Sequence, residues 1–342
     1  MVSMKDIGRI CNVSEATVSK ALRNNPKINA LTRQRIQEVS RQHNYHPNAL
    51  VEGIQTGRSK MIGVAYNNFT DSFAGAVMEG LLGKLGAAGY ETLVICWDMI
   101  AAQGNQMLSR FSRRRLDGLL LFPMERLPSP EYQQELRAFQ KPIVIIDQTW
   151  PGNEFSFVGS DNVHGGILAT THLLDHGITE LGFIRYSRAS SCEERWEGFQ
   201  TAMRGHGLPV RDAWCVDAAG SADHGLELIR ELLASPVRPD GLVCFNDYCA
   251  LQALDAAREL GVRVPEELSL LGFGDIKLIS AMSRPRLTTV NQSPREIGRK
   301  AAEVLLSLIA AQGEVKATQA RIPVELVVHE TVRGACAGGE RT

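Results

Sequence analysis

No apolar run in the 342-residue chain approaches the ~20 residues that cross a bilayer, and the opening Met1-Val-Ser-Met-Lys-Asp-Ile lacks the apolar core of a secretion signal. A cytoplasmic protein is expected. Cysteine is sparse: seven residues, scattered and with no CxxC pair, fit a reduced interior better than a disulfide framework. Catalytic signatures are missing as well. Gly272 and Gly274 lack the third glycine of a dinucleotide fingerprint, and there is no P-loop, HExxH or GxSxG. The eight histidines show no ligand spacing, so neither a metal nor a cofactor is expected. Together these absences argue against a membrane span, a disulfide scaffold and the commoner enzyme classes.

What is present divides in two. With 44% hydrophobic residues the chain supports about two or three domains with real cores. Residues 1–60 carry ten Lys or Arg against four acids, net +6, whereas the remainder carries 27 against 34, net −7. A basic head on an acidic body points to a polyanion as partner of the head, against the plainer reading of a solvated helical surface.

In the head, Ser3-Met-Lys-Asp6 is a capping-box-like start to a short helix with Ile7 and Ile10 on its apolar face. Cys11-Asn12-Val13 breaks it. Ser14 caps a second helix with Val18, Ala21 and Leu22 inward, and a third runs over 30–44, capped by Asn29, with Ile36 and Val39 packing on the first two. Two short helices joined by a tight turn are a helix-turn-helix. On the second helix the small residues Ala16, Thr17 and Ser19, with Glu15 and Lys20, let the backbone lie close to bases in a major groove. Lys20 and Arg23 reach phosphates or guanines. Glu15 fits two roles equally, a partner of the helix dipole or an acceptor for cytosine N4, and Thr17 is plain filler on the simpler reading.

The run Met4-Lys-Asp-Ile-Gly-Arg-Ile-Cys-Asn-Val-Ser-Glu-Ala-Thr-Val-Ser-Lys-Ala-Leu22 resembles the head of the LacI family of bacterial transcriptional regulators. The resemblance places Glu15, Ala16 and Lys20 at positions that select operator bases, and Ser3, Ser14, Thr17, Ser19, Asn29 and Tyr45 at positions that grip the DNA backbone. Residues 46–57 read as about two helical turns with Asn48 as N-cap and Gly57 as stop, too short and glycine-interrupted to be stable alone. In the family such a hinge folds on operator DNA. It adds Asn48, Leu50, Val51 and Gln55 to the DNA-binding set, and Ile54 stands where relatives wedge a Leu into the minor groove. Glu52 occupies a position where many relatives carry Arg, so a weaker or more conditional hinge is expected.

From residue 61 short apolar runs alternate with amphipathic stretches. Segments 61–66, 91–97, 116–123, 142–147, 155–161, 181–186, 241–246, 268–275 and, as the last, about 322–329 read as strands, and 73–88, 164–176, 193–206 and 247–260 as helices. This alternation predicts parallel sheets flanked by helices, in two lobes dividing near Asp161. Asp147, Asp161, Asn246-Asp247 and Asp275 close their strands at the edge where open α/β sheets bind ligands. Singly each fits a helix cap; together they outline a polar cleft.

The resemblance extends through this body, since LacI-family sensors are similar to periplasmic sugar-binding proteins. It implies a small all-α helix-turn-helix domain over 1–45, a hinge and linker over 46–60, and an α/β two-lobed periplasmic-binding-protein-like domain with parallel sheets over 61–330. A tail, 331–342, follows. Carried over by position, the effector pocket includes Asp71, Phe73, Asp161, Arg195 and Asn246, and the cleft edge adds Asp275. A guanidinium with planar amides and carboxylates suits the paired hydroxyls of a sugar, or a carboxylate or phosphate on it. Arg195 reads alternatively as an exposed residue of its helix, and Trp150 and Trp196 as core packing, a partner surface or sugar stacking. Two departures bear on the ligand: Gly274 replaces the first acid of the family's Asp-Asp, and no aromatic lies near Gly220. The effector class therefore stays open among sugar, sugar acid and nucleoside-like metabolites.

The expected partners are double-stranded operator DNA, a small-molecule effector and a second copy of the chain, with no membrane. The family dimerises through both lobes, and a tail without leucine heptads predicts a homodimer placing two heads on a palindrome. The expected function is that of an allosteric repressor, not an enzyme. The alternative, a solute-binding or sensor protein without DNA function, leaves the basic head unexplained.

Overall fold

Residues 2–45, 58–66, 72–96, 115–123, 129–187, 189–219, 222–311 and 316–335 are described by a computed structural model of the chain. Its contacts separate two units, Met1–Lys60 and Met61–Thr342.

The first unit holds α1 (Met4–Cys11), α2 (Glu15–Leu22) and α3 (Ala30–Gln42). The capping box closes in full: Ser3 Oγ accepts from the Asp6 N–H, and the Asp6 carboxylate accepts from the Ser3 N–H. Asn12, left-handed at φ 54°, ends α1. Gly8 allows the turn to fold back, since a Cβ there would sit 2.8 Å from the Val13 carbonyl oxygen. Ile7, Cys11, Val18, Ala21 and Ile36 form the core, with Leu22 and Val39 packed against it. Ile10 departs from expectation. The inward face of α1 is set by Ile7 and Cys11, one turn apart, and Ile10 on its flank is 45% exposed.

The second unit alternates strands and helices: β1 (Met61–Tyr66), α4 (Ser72–Ala87), β2 (Glu91–Cys96), β3 (Gly118–Leu121), α5 (Pro130–Ala138), β4 (Ile143–Ile146), β5 (Ser156–Ser160) and α6 (Asn162–Asp175). It continues with β6 (Leu181–Arg185), α7 (Ser190–Gly205), β7 (Cys215–Asp217), α8 (Ala222–Ala234), β8 (Gly241–Cys244), α9 (Asp247–Glu259), β9 (Ser269–Phe273) and α10 (Lys277–Met282). Last come β10 (Thr288–Asn291), α11 (Pro294–Ala310), β11 (Gln319–Ile322) and β12 (Glu325–Val327). The strands form two six-stranded sheets, β11-β5-β4-β3-β1-β2 and β12-β10-β9-β8-β6-β7. Among the described pairings only β10 with β12 is antiparallel. Helices cover both faces, so strands such as β4 read as continuous apolar runs. No helix among the described residues is long and apolar enough to cross a membrane.

The lobes do not divide once near residue 161. The chain passes between the sheets at three crossings, 160–162, 291–294 and 322–325. A single last strand over 322–329 is replaced by two short ones in different sheets, parted at Pro323, which has no N–H for a ladder. α11 returns to the first lobe and buries Ile297, Ala301, Ala302 and Leu305, while Lys300 and Glu303 stay on its wetter side.

Among the described residues, each lobe has one pair of helices crossing with backbones in contact. Between α4 and α11, a Cβ on Gly80 would lie 2.0 Å from the Arg295 carbonyl oxygen and one on Gly298 1.9 Å from that of Val77. Between α6 and α7, a Cβ on Gly166 would lie 2.3 Å from the Arg195 carbonyl oxygen and one on Gly198 2.2 Å from that of Val163. The second crossing brings Arg195 against Asn162. Trp150 and Trp196 belong to cores: Trp150 is buried in the first lobe, and Trp196 stacks on Phe199 in the second at 5.3 Å.

Candidate nucleic-acid interface and effector cleft

On the head, α2 presents Glu15, Ala16 and Lys20 to solvent, side by side on its surface. The hydroxyls around them are already engaged. Ser14 Oγ caps α2 by accepting from the Thr17 N–H (3.2 Å) and lies 2.9 Å from Thr17 Oγ1. Arg23 lies back along the helix, donating to Ser19 Oγ (2.7 Å) and to the Ser19 carbonyl (3.2 Å). Ser3 and Asn29 are the N-caps of α1 and α3. Tyr45 packs half-buried against the core, and burial first, then the charge of Glu15, raises its phenol above the usual range. The hinge positions Asn48, Leu50, Val51, Glu52, Ile54 and Gln55 lie outside the described residues, as does Asp71 of the expected pocket.

In the sensor, two of the expected pocket residues are helix caps. Asp161 accepts from the His164 N–H (3.1 Å) at the start of α6, and Asn246 from the Cys249 N–H (2.9 Å) at the start of α9. Phe73, in the first turn of α4, packs partly buried on the first-lobe core. Arg195 is no surface residue: it is 4% exposed. Its Nε–H donates to Asn162 Oδ1 (3.0 Å), Nη1 to the Phe245 carbonyl (2.5 Å) and Nη2 to Gln292 Oε1 (2.8 Å). Its guanidinium carbon lies 3.7 Å from the ring centre of Phe273 and 4.7 Å from that of Phe245. Burial pulls its pKa down to about 10, partly offset by Asp147 and other acids, so it remains cationic at neutral pH.

Asp275 sits at φ 52°, and its Oδ2 accepts from Lys277 Nζ (2.5 Å) and Asn291 Nδ2 (2.8 Å). Its Oδ1 is buried without a hydrogen-bond partner among the described residues. Beneath it Asp247, fully buried, accepts from Thr289 Oγ1 (2.5 Å) and the Ile276 N–H (2.7 Å), which fixes the loop carrying Asp275. Burial foremost, with Asp275 adding, pushes the Asp247 carboxyl up to about 6. A groove of about 900 Å³ brings Phe73 and Asp275 together from the two lobes, with Ser72, Lys277 and Asn291 on its walls. Arg195, Asp161 and Asn246 are not among the residues that line it; Arg195 bonds instead to Asn162 and to the Phe245 carbonyl, the sequence neighbours of Asp161 and Asn246. The lobes also touch where the Thr149 N–H donates to Ser190 Oγ (3.0 Å) and where Ser72 Oγ meets the Tyr248 hydroxyl (3.5 Å).

Asn162, Glu194 and Gln292 are not among the expected pocket residues, and Asp247 is expected only at the cleft edge beside Asn246. Asn162 and Asp247 immediately follow the expected Asp161 and Asn246, a signal that was present, whereas Gln292 follows a strand that the apolar pattern did not reveal. Among the described residues no group of three or more His, Cys, Asp or Glu is arranged to hold a metal ion, and the described cysteines are free thiols. Burial pushes Cys249 up to about 12 and Cys244 well above the usual thiol range, which leaves both unreactive.

Residues 3–48 match the family model described as bacterial regulatory proteins, lacI family, and residues 170–332 match that of a periplasmic binding protein-like domain. The chain is 29% identical over 346 residues to the HTH-type transcriptional repressor PurR of Photobacterium profundum, covering 97% of this chain and 99% of that one. Among solved structures, the lac repressor dimer bound to operator and an anti-inducer superposes with a TM-score of 0.82 at 22% identity, over 96% of this chain and 98% of that one, a likeness of fold. A LacI family regulator from Enterococcus faecium with bound ribose matches at TM-score 0.69 and 25% identity, over 80% of this chain and 98% of that one. A basic helix-turn-helix head, a two-lobed parallel-sheet sensor and relatives matching end to end make this chain a member of the LacI family, a DNA-binding regulator with a ligand-binding sensor domain.

Proposed function

We propose that the protein is a cytoplasmic repressor that binds a palindromic double-stranded operator as a homodimer. Its operator affinity is set by a small metabolite held between the sensor lobes. The observation that carries this reading is Arg195, a desolvated cation of the second lobe whose acceptors Asn162 and Gln292 stand on two of the crossings between the lobes, so a ligand that moves it acts at the lobe junction. Coupling of this kind typically amounts to about 1–3 kcal/mol, roughly 5- to 150-fold in operator affinity. Glu15, Ala16 and Lys20 are the base readers of the proposal, and one head alone would contact one half-site. Leu278 and Met282, 68% and 72% exposed one turn apart on α10, supply apolar surface suited to a self-complementary contact between two copies. The repressor named PurR supports control of transcription by repression, and the Enterococcus faecium regulator, solved with ribose, supports a sugar or nucleoside-like effector.

The test is a melting-temperature screen of the full chain against sugars, sugar acids and nucleosides, repeated with Arg195→Lys, followed by mobility shifts on a selected palindrome. One chemical class is expected to raise the melting temperature of the wild type and to change operator affinity. Arg195→Lys, which keeps the charge and loses the planar fork, should lose most of that shift. An undiminished shift in the variant, or a ligand that binds without changing operator affinity, would overturn the reading.

A further inference from the structure

All three crossings between the lobes are tied into one circuit of side chains. On the first crossing Asn162 accepts from Arg195 Nε through Oδ1 (3.0 Å) and donates through Nδ2 to Glu194 Oε2 (2.8 Å). On the second, Gln292 Oε1 accepts from Arg195 Nη2 (2.8 Å) and from Ser160 Oγ (3.2 Å). At the third, Arg321 donates to both oxygens of Glu194 (2.6 and 3.0 Å) and to the Ser160 carbonyl (3.4 Å). Followed round, the bonds run from Arg195 to Asn162, Glu194, Arg321, Ser160 and Gln292 and return to Arg195.

The inner arc is dry and the outer arc is not. Arg195, Asn162, Ser160 and Gln292 are all at most 4% exposed, whereas the side chains of Arg321 and Glu194 are 39% and 21% exposed. A buried guanidinium cannot exchange a lost acceptor for water, and each amide here is held at the end that faces it, so the planes of Asn162 and Gln292 are fixed. The rings of Phe245 and Phe273 against the guanidinium restrict it further, and Arg321 is steadied by Phe157 at 4.6 Å. A shift of any one crossing therefore strains a bond shared with the next.

We propose that Asn162, Gln292, Glu194 and Arg321 are positioning residues for Arg195, and that the closed ring makes the three crossings move as one when the lobe angle changes. The link to a ligand rests on the effector reading above, since it is Arg195 that a ligand in the cleft would displace. The ring itself does not depend on that reading.

Hydrogen-exchange mass spectrometry on the full chain without ligand tests it, following peptides over 160–162, 291–293 and 321–324. Glu194 bonds the first crossing and the third but not the second. In Glu194→Gln, exchange is expected to quicken about tenfold at all three, including 291–293. In Gln292→Leu it should quicken at 321–324, which Gln292 does not touch, while Gln292→Glu, which keeps the acceptor, should stay near wild type. Should Gln292→Leu fail to fold, Arg321→Gln on the half-exposed arc asks the same question of 291–293. Quickening confined to the crossings each residue touches, or equal quickening in Gln292→Glu, overturns the ring. A concerted response with no ligand found in the melting screen would keep the ring and remove the effector, and a purely local response with a ligand found would do the reverse.

Discussion

In the first lobe α4 and α11 cross through Gly80 and Gly298, and in the second α6 and α7 cross through Gly166 and Gly198, each with backbone against backbone. Around the first crossing the buried neighbours are Val77, Leu81, Ile297 and Ala301, and charge stays outside, as in the exposed Arg295–Glu79 pair. At the second, the same close approach presses Arg195 onto Asn162 with Glu194 alongside. Glycine at a crossing is thus a packing device in both lobes. In the second lobe the side chains it brings together are polar and desolvated, and on the proposal above that is where packing takes on a function.

The comparison is broken most severely by filling the crossings. A Cβ at residue 298 or 198 would stand 1.9 or 2.2 Å from a backbone carbonyl oxygen, so the helices must part. Gly298→Ala and Gly198→Ala should each destabilise the sensor by about 3 kcal/mol in urea unfolding. Only Gly198→Ala should also quicken exchange at the three crossings beyond what its stability loss explains, because it alone moves Arg195 from Asn162. Equal effects on the crossings would erase the distinction between the lobes.

A smaller effect is expected from Asp247, which also belongs to the second lobe. Its carboxyl titrates near 6 when folded against 3.8 ordinarily, so the folded state holds the proton more tightly and its charge is a burden above that range. Its contribution therefore grows more favourable as pH falls, by about 1 kcal/mol between pH 7 and pH 5. Unfolding measured across that window in wild type and Asp247→Asn should show a difference that widens toward acid in favour of wild type. A constant difference would mean that Asp247 is not titrating there.

Much of this architecture was legible in the sequence, for reasons that also explain the gaps. Strands β1, β4, β8 and β9 are buried on both faces and so appear as unbroken apolar runs. β10 does not, because Thr288 and Thr289 are buried with their hydroxyls bonded, Thr288 Oγ1 accepting from the His329 N–H and Thr289 Oγ1 donating to Asp247, and not as apolar side chains. β7, three residues long, is below what alternation reveals, and β12, equally short, reads as part of one longer strand with the end of β11. The single division near Asp161 failed because the chain's return to the first lobe through α11 is a long-range packing choice, invisible to local pattern. In the site, the Arg195 position was readable from the family resemblance, but its enclosure depends on Gly166 and Gly198 meeting across two helices. Gln292 carried no signal at all, being one polar residue after an unrecognised strand.

The smallest expected effect sharpens the comparison most. Glu79→Gln removes one partner of the Arg295–Glu79 pair, 2.8 Å long with side chains 71% and 62% exposed, and it is the same chemical change as Glu194→Gln in the ring. Pairs so exposed are screened by water and salt and contribute little. Melting temperature and exchange at all three crossings should therefore match wild type. The second outcome matters more, because α11 begins directly after the second crossing and could in principle pass strain from α4 into residues 291–293. If Glu79→Gln does quicken exchange there, the lobes are coupled through the apolar crossing as well, and the ring around Arg195 would no longer be what sets the second lobe apart.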